Sequence, residues 1–206
     1  SAAADELPVI DLTALRTGAD AGRDTVAGEI GRACRDLGFF YLTGHGVPDD
    51  VRGGIFSASR RFFALPEPVK RALSIENSPH NRGYVALGGE SLDPSVPADR
   101  KEAFNIGLDL APDDPEVQAG APLRGVNQWP DLPGWRDSLL DYFARMQALA
   151  TDLHRAIAVD LGVAPDFFET LVDRPMATLR LLHYPAEPIA MNGALGAGAH
   201  TDYGNV

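Results

Sequence analysis

The chain has 206 residues, a formal net charge of −11 and a hydrophobic fraction of 45%. That length is sufficient for one domain with a sizeable core, and the balance of apolar and charged residues excludes disordered and collagen-like chains. The acidic charge argues against nucleic acid and anionic membranes as partners, because both would repel the protein.

A single cysteine, Cys34, cannot form an internal disulfide. It lies within a helical pattern, where we expect a buried small hydrophobic side chain. No apolar run reaches the roughly 18 residues needed to span a bilayer, and the small, acidic N-terminus differs from a secretory signal. These features favour a reducing cytoplasm.

The first half of the sequence alternates predicted helices with short strands. In chain order, the periodicity predicts a strand at 7–12, a helix at 24–37, a buried aromatic strand at 39–42 and helices at 49–64 and 67–73. Gly38 is a suitable residue to end the first of these helices. The stretch 78–97 is rich in glycine, proline and serine, which predicts loops with one short strand at 84–87.

One long helix dominates the second half of the sequence. In chain order, we expect a strand at 101–108, a surface connection at 111–133, the long helix at 135–161, a short helix at 166–172 and a strand at 177–184. An apolar stripe at helical spacing marks the long helix, and Gly162 follows it as a stop.

His200 and Asp202 form a His-x-Asp pair after a loop rich in glycine and alanine. In an extended backbone the two side chains project to the same face, so an imidazole nitrogen and a carboxylate oxygen can meet on one metal ion. They would supply two of the three ligands in the 2-His-1-carboxylate triad of non-haem iron(II) sites. The pair alone is weak evidence, since roughly 0.5 such pairs are expected by chance in this composition. A solvated turn is the alternative interpretation.

The order of the motifs is more informative than any single residue. From about Leu7 to Val206 the chain carries, in succession, LPVIDL, GFFYLTGHGVP, NRGYVALGGES, KEAFNIG, NQWPDLPGW, LRLLHYP and GAHTDYG. This succession resembles the isopenicillin N synthase-like family of iron(II)- and 2-oxoglutarate-dependent oxygenases. GFFYLTGHGVP and HTDYG are its most specific parts.

The resemblance implies an α+β fold in which a helix-rich N-terminal region surrounds a double-stranded β-helix, or jelly-roll, core. We expect a single domain over 1–206, with the helical region at about 1–175 and the start of the jelly roll at about 176–206. In the family, a distal histidine and an Arg-x-Ser motif lie well downstream of His-x-Asp. The C-terminal part of the core is therefore expected to be absent from this chain, and the natural polypeptide is expected to continue.

The resemblance also implies the cofactors: Fe(II), 2-oxoglutarate and O2, which together oxidise a small-molecule substrate while 2-oxoglutarate becomes succinate and CO2. His200 and Asp202 would be the catalytic metal ligands. Arg180 and Tyr184 share one face of the strand at 177–184, and they would contact 2-oxoglutarate. An exposed strand arginine is an equally good interpretation of Arg180.

Three further side chains are predicted to contact substrate. Arg82 and Tyr84 belong to NRGYVALGGES, which resembles the substrate-rim loop of the family, and an arginine there favours an anionic substrate. Phe104 in KEAFNIG lies where relatives line the pocket. Glu102 in the same motif also lies where relatives line the pocket. A plain strand position with alternating exposure explains Glu102 at least as well.

Two other functions remain open at this point. One is a catalytically inactive relative that serves as a binding module, and the other is an iron oxidase that does not use 2-oxoglutarate. The intact His200-x-Asp202 pair argues against the inactive relative. Hydroxylation, desaturation and cyclisation are all compatible with the sequence. A Rossmann or P-loop enzyme is excluded, because no glycine-rich phosphate loop sits between a strand and a helix.

Overall fold

The structure is a computed structural model that describes residues 7–17, 20–89 and 100–185. Its strands are β1 (Val9–Asp11), β2 (Tyr41–Thr43), β3 (Gly83–Val85), β4 (Glu102–Ile106) and β5 (Leu179–His183). Its helices are α1 (Thr13–Thr17), α2 (Asp20–Asp36), α3 (Asp49–Phe63), α4 (Glu67–Arg71), α5 (Pro115–Gln118), α6 (Trp135–Asp160) and α7 (Glu169–Val172), with a 3-10 turn at Ile75–Asn77. Within these ranges, no helix is long and apolar enough to cross a membrane.

The mixture of helices and strands agrees with the predicted α+β class. The chain divides into two compact units, of which the first comprises Ser1–Asp49, Ala144–Arg174 and Asn205–Val206, and the second Asp50–Phe143 and Pro175–Gly204. The predicted jelly-roll core, its incomplete C-terminal part and the single-domain organisation with a boundary near 175 stay predictions.

The first unit holds a two-stranded parallel sheet and two long helical segments. β1 and β2 pair in parallel, with Val9 opposite Tyr41. The interior is apolar and comes from β1, α2 and the second part of α6; its buried side chains include Ile10, Val26, Ile30, Ala33, Leu149, Leu153 and Ala156. At the ends of the two helices, Arg35 and Asp160 form an ion pair with an Nη1–Oδ2 distance of 2.5 Å.

The second unit is built on an antiparallel sheet in the order β3-β4-β5. Phe104 at the centre of β4 lies opposite Tyr84 of β3 and Leu181 of β5. Successive side chains on a strand point to opposite faces, so these three share one face of the sheet.

That face carries the aromatic core of the unit. Phe62 of α3 has its ring centroid 4.6 Å from that of Phe104 and 5.5 Å from that of Trp135. The Trp135 indole Nε1 donates to the carbonyl of Ala58 at 2.9 Å, so its one polar atom is satisfied inside the core. None of the rings of Phe62, Phe104 and Trp135 is exposed. Their packing holds α3 and the start of α6 against the sheet.

Two burial predictions are wrong. Cys34 is exposed, because burial along α2 ends at Ala33, in the last turn of the helix. The predicted buried strand at 39–42 is instead Tyr41–Thr43, and Phe39 and Tyr41 are 59% and 62% exposed. Among the described residues β2 pairs only with β1, and of its three side chains only Leu42 is partly buried.

We predict that Phe62→Ala lowers the free energy of unfolding by about 3–5 kcal/mol, because it opens a cavity at the centre of the aromatic core. Urea unfolding followed by tryptophan fluorescence measures the change. Phe56→Ala is the matched control on the same helix, since Phe56 is 67% exposed, and it should stay within about 0.5 kcal/mol of wild type. Equal losses in the two variants would contradict the assigned core.

Candidate functional site

The predicted metal ligands His200 and Asp202 lie outside the described residues. Among the residues that the structure does describe, no group of three or more histidine, cysteine, aspartate or glutamate side chains could hold a metal ion. The part of the predicted site that can be located is β5 and what surrounds it.

The side chains of β5 alternate between the core face of the sheet and the opposite face. Leu181 is buried against the aromatic core, and His183 lies on the same face. Arg180 is exposed on the opposite face, towards which Tyr184, directly after the strand and 47% exposed, is also expected to point. The prediction that Arg180 and Tyr184 contact 2-oxoglutarate stays a prediction.

The Glu102 carboxylate is the centre of a buried polar cluster on the core side of β4. Its Oε2 accepts hydrogen bonds from Lys70 Nζ at 2.6 Å and from the Tyr84 hydroxyl at 2.5 Å. Its Oε1 lies 2.7 Å from His183 Nδ1. Lys70 and Glu102 are 6% and 5% exposed, so this is a buried ion pair that holds α4 against the sheet.

The protonation of the cluster follows from its contacts. Burial alone would raise the pKa of Glu102, but the hydrogen bonds from Lys70, Tyr84 and His183 together lower it below its ordinary value. Burial, followed by the hydrogen bond to Glu102, raises the pKa of Tyr84. Tyr84 therefore stays a neutral donor, and an ionised Glu102 can only accept, which assigns the proton to His183 Nδ1.

His183 is fixed on both sides. Its ring stacks on Phe63 at a centroid distance of 5.2 Å, while Nδ1 is held by Glu102. His183 and Glu102 are also directly opposite each other at the end of the β4–β5 ladder. The end of β5, one residue before Tyr184, is thus tied to β4 by side chains as well as by the backbone.

The predicted substrate contacts lie deep in the second unit. Tyr84 and Phe104 are 1% and 0% exposed and belong to the aromatic core, and Arg82 is 3% exposed. Arg82 Nη2 donates to the carbonyl of Leu123 at 3.0 Å. The structure gives Tyr84 and Phe104 a packing role, and their contact with substrate stays a prediction.

Sequence reasoning missed Lys70 and underestimated Glu102. The sequence did indicate a buried Glu102. Alternate residues of a strand share a face, so Glu102 points to the same side of β4 as the apolar Phe104 and Ile106. Lys70 lies 32 residues away on an otherwise exposed helix, and nothing local marks it as the partner.

Comparison with known proteins places the chain in a family. Residues 7–132 match the family model described as the N-terminal part of the non-haem dioxygenase in morphine synthesis. The chain therefore belongs to this family of non-haem dioxygenases, and the resemblance inferred from the motifs is confirmed.

Curated relatives carry names of the same kind. The chain is 32% identical over 203 residues to the 2-oxoglutarate-Fe(II) type oxidoreductase hxnY of Emericella nidulans, covering 96% of this chain and 58% of the relative. It is 38% identical over 188 residues to a 2-oxoglutarate-dependent dioxygenase of Didymella fabae, covering 87% of this chain and 57% of the relative. The chain thus spans less than two thirds of the length of these relatives.

Solved structures give the same class. A full-length protein of Neurospora crassa in complex with alpha-KG superposes with a TM-score of 0.81 at 34% identity, over 98% of this chain and 63% of that one. The same Neurospora protein with alpha-KG and thymine gives a TM-score of 0.79 at 33% identity, over 98% and 64% of the two chains. The fold of the chain is therefore that of the corresponding part of a 2-oxoglutarate oxygenase.

We predict that Glu102→Gln lowers the free energy of unfolding by about 3–5 kcal/mol at neutral pH, because buried Lys70 loses its buried anion and keeps only the partly exposed Glu67 at 3.4 Å. The folded protein lowers the pKa of Glu102 from its ordinary value of 4.5. The stabilisation is therefore present above that value and lost as the pH falls through the lower folded value. Urea unfolding between about pH 7 and pH 3 should show the gap between wild type and variant narrowing towards acid.

Glu67→Gln is the control for this experiment. Glu67 also contacts Lys70, at 3.4 Å, but its side chain is 47% exposed. We expect a loss below about 1 kcal/mol. A gap between wild type and Glu102→Gln that stays constant from neutral to acid pH would contradict an ionised, buried Glu102.

Proposed function

We propose that the protein is an Fe(II)- and 2-oxoglutarate-dependent oxygenase that oxidises a small, anionic organic substrate. The observation that carries the proposal is the family match over 7–132, followed in the same chain by LRLLHYP and an intact His200-x-Asp202. The names of the curated relatives support the reaction class. A jelly-roll core and a cytoplasmic location belong to the same proposal.

The donor set fits iron(II). One imidazole and one carboxylate, two residues apart, can occupy neighbouring positions of an octahedral ion, and the resemblance implies a further histidine as the third ligand. When bound, iron and 2-oxoglutarate supply the oxidising power, since O2 is consumed as 2-oxoglutarate becomes succinate and CO2 and the substrate is oxidised. We expect His200 and Asp202 to hold the metal, and β5 to present Arg180 and Tyr184 to the 2-oxoglutarate carboxylates.

The contacts of β5 support this division of roles. A 2-oxoglutarate site needs donors held in fixed positions, because positional freedom weakens each charge-assisted hydrogen bond. Tyr184 directly follows His183, whose ring is held by Glu102 and Phe63. Arg180 is paired in register with Asn105, next to the central pair of the ladder. Arg180 thus lies on β5, and Tyr184 follows directly after it, next to the residue that is held from the core side.

We predict that His200→Ala and Asp202→Ala each abolish binding of Fe(II) under anaerobic conditions. Loss of a ligand should exceed the roughly 10–100-fold loss in metal affinity caused by changing a residue that only supports a ligand. Equilibrium dialysis with metal analysis measures binding, and succinate formation measures 2-oxoglutarate turnover. Asp113→Ala, at an exposed aspartate, is the matched control and should behave as wild type.

Three results would count against the proposal. Iron binding retained in Asp202→Ala would disprove the ligand assignment. Iron binding in wild type without 2-oxoglutarate turnover, even with varied substrates, would favour the oxidase that does not use 2-oxoglutarate. No iron binding in wild type would favour the inactive relative.

We further predict that Arg180→Met raises the KM for 2-oxoglutarate roughly tenfold or more, because a charge-assisted hydrogen bond to a carboxylate is lost. Steady-state succinate formation at varied 2-oxoglutarate measures the change. Arg136→Met is the control, since Arg136 is 57% exposed and forms an ion pair with Asp109. An unchanged KM in Arg180→Met would assign Arg180 to the protein surface.

A further inference from the structure

A pocket opens in the first unit, and its walls come from α1, α2 and the second part of α6. Its volume is about 260 Å³, and it is lined by Leu15, Arg23, Asp152, Arg155, Ala156 and Pro165. All six residues belong to the first compact unit. A dry cavity of about 150 Å³ is large enough to hold benzene, whereas sites for drug-sized ligands begin at about 300 Å³. The pocket therefore has room for a small organic molecule.

Helix α6 supplies half of the lining. Asp152, Arg155 and Ala156 are three and four residues apart, a spacing that places them on one face of the helix. Ala156 is buried, while the side chains of Asp152 and Arg155 are 28% and 48% exposed. The base of the pocket is therefore apolar, and its charged rim is open to solvent, so a ligand can enter from outside.

The turn that ends α6 brings the following segment to the pocket. Gly162 has a φ of 71°, and the N–H groups of Gly162 and Val163 donate to carbonyls in the last turn of the helix. Glycine adopts this left-handed conformation without steric cost. The chain therefore turns back along α6, where Pro165 lines the pocket and Glu169 contacts Arg155.

The lining carries more positive than negative charge. Arg23 and Arg155 supply two guanidinium groups, against one carboxylate from Asp152. That carboxylate already has cationic neighbours, since its oxygens lie 3.9 Å from Arg16 Nη1 and 3.4 Å from Arg155 Nη1. In a chain with a formal net charge of −11, the pocket is therefore a local site of positive potential that favours an anionic ligand.

Arg155 is held in place and still has donors to offer. Its Nε and Nη2 contact the same Glu169 oxygen at 2.7 Å and 2.6 Å, and its Nη1 donates to Asp152 at 3.4 Å. A guanidinium has five N–H donors in fixed directions, and these contacts engage three of them. Within the described part of the chain, two N–H groups of Arg155 therefore remain for a ligand. A side chain that is already fixed loses little conformational entropy on binding.

We propose that this pocket binds a small organic carboxylate whose apolar body is about the size of a benzene ring. The carboxylate accepts hydrogen bonds from Arg23 and Arg155, and the apolar body lies against the uncharged half of the lining. Inorganic phosphate is disfavoured, because Asp152 and Glu169 repel its second charge and it has no apolar part. The site goes beyond the proposed function, since none of its residues is a predicted contact of iron, 2-oxoglutarate or substrate.

Isothermal titration calorimetry tests the proposal with benzoate as the probe, on the protein without iron so that benzoate cannot bind the metal. Benzamide has nearly the same shape but no charge, and inorganic phosphate has charge but no apolar body; all three are compared at equal ionic strength. We expect one saturable benzoate site, with benzamide and phosphate binding at least about tenfold more weakly. No saturable binding of benzoate, or equal binding of benzamide or phosphate, would overturn the proposal.

Variants locate the bound benzoate. Arg23→Gln removes one guanidinium from the lining, so we expect benzoate affinity to fall about fivefold or more. Arg32→Gln is the matched control, because Arg32 is an exposed arginine on the same helix, and it should bind benzoate as wild type does. Arg180→Met should also leave the affinity unchanged, since Arg180 is the arginine predicted to contact 2-oxoglutarate. Equal affinity in Arg23→Gln and Arg32→Gln, or a loss confined to Arg180→Met, would overturn the proposal. Neither measurement needs turnover, so failure here is distinguishable from failure of the oxygenase assignment.

Discussion

The second unit depends on one carboxylate at the edge of its core. Glu102 on β4 accepts from Lys70 of α4 and Tyr84 of β3, and it holds His183 of β5, so four elements meet at two oxygen atoms. A buried ion pair is not by itself a source of large stability, because desolvation offsets much of the attraction. Its effect is on position: the contacts of Glu102 join α4, β3 and the end of β5 to β4, and they support the strand register where the chain leaves β5.

The alternation of β5 then separates the side chains that face the core from those on the opposite face of the sheet. Leu181 and His183 face the aromatic core, whereas Arg180 lies on the other face, towards which Tyr184 is expected to point. Tyr84 and Phe104 share the core face with Leu181, which explains why residues expected at the substrate are found packed among aromatic rings.

The same physics sets what could be predicted from the sequence. α6 runs from Trp135 to Asp160, within one residue of the prediction, because its apolar stripe and the following Gly162 are local signals. The burial of Lys70 and the exposure of Cys34 depend on which distant elements cover a helix, and no local pattern carries that information. The predicted iron ligands rest on the His-x-Asp spacing together with the order of motifs along the chain, and they lie outside the described residues.

Two cations are buried in the described part of the second unit, and their surroundings differ. Lys70 and Arg82 are 6% and 3% exposed, and the fold supplies Lys70 with an ionised partner at 2.6 Å. The buried amides show the same contrast: Asn127 exchanges two hydrogen bonds with the backbone of Gly107, while Asn105 has an unpartnered oxygen. A fold that satisfies Lys70 and Asn127 so completely is able to satisfy buried polar groups. In the described part of the chain, Arg82 Nε and Asn105 Oδ1 are therefore local exceptions in a unit that otherwise pairs its buried polar groups.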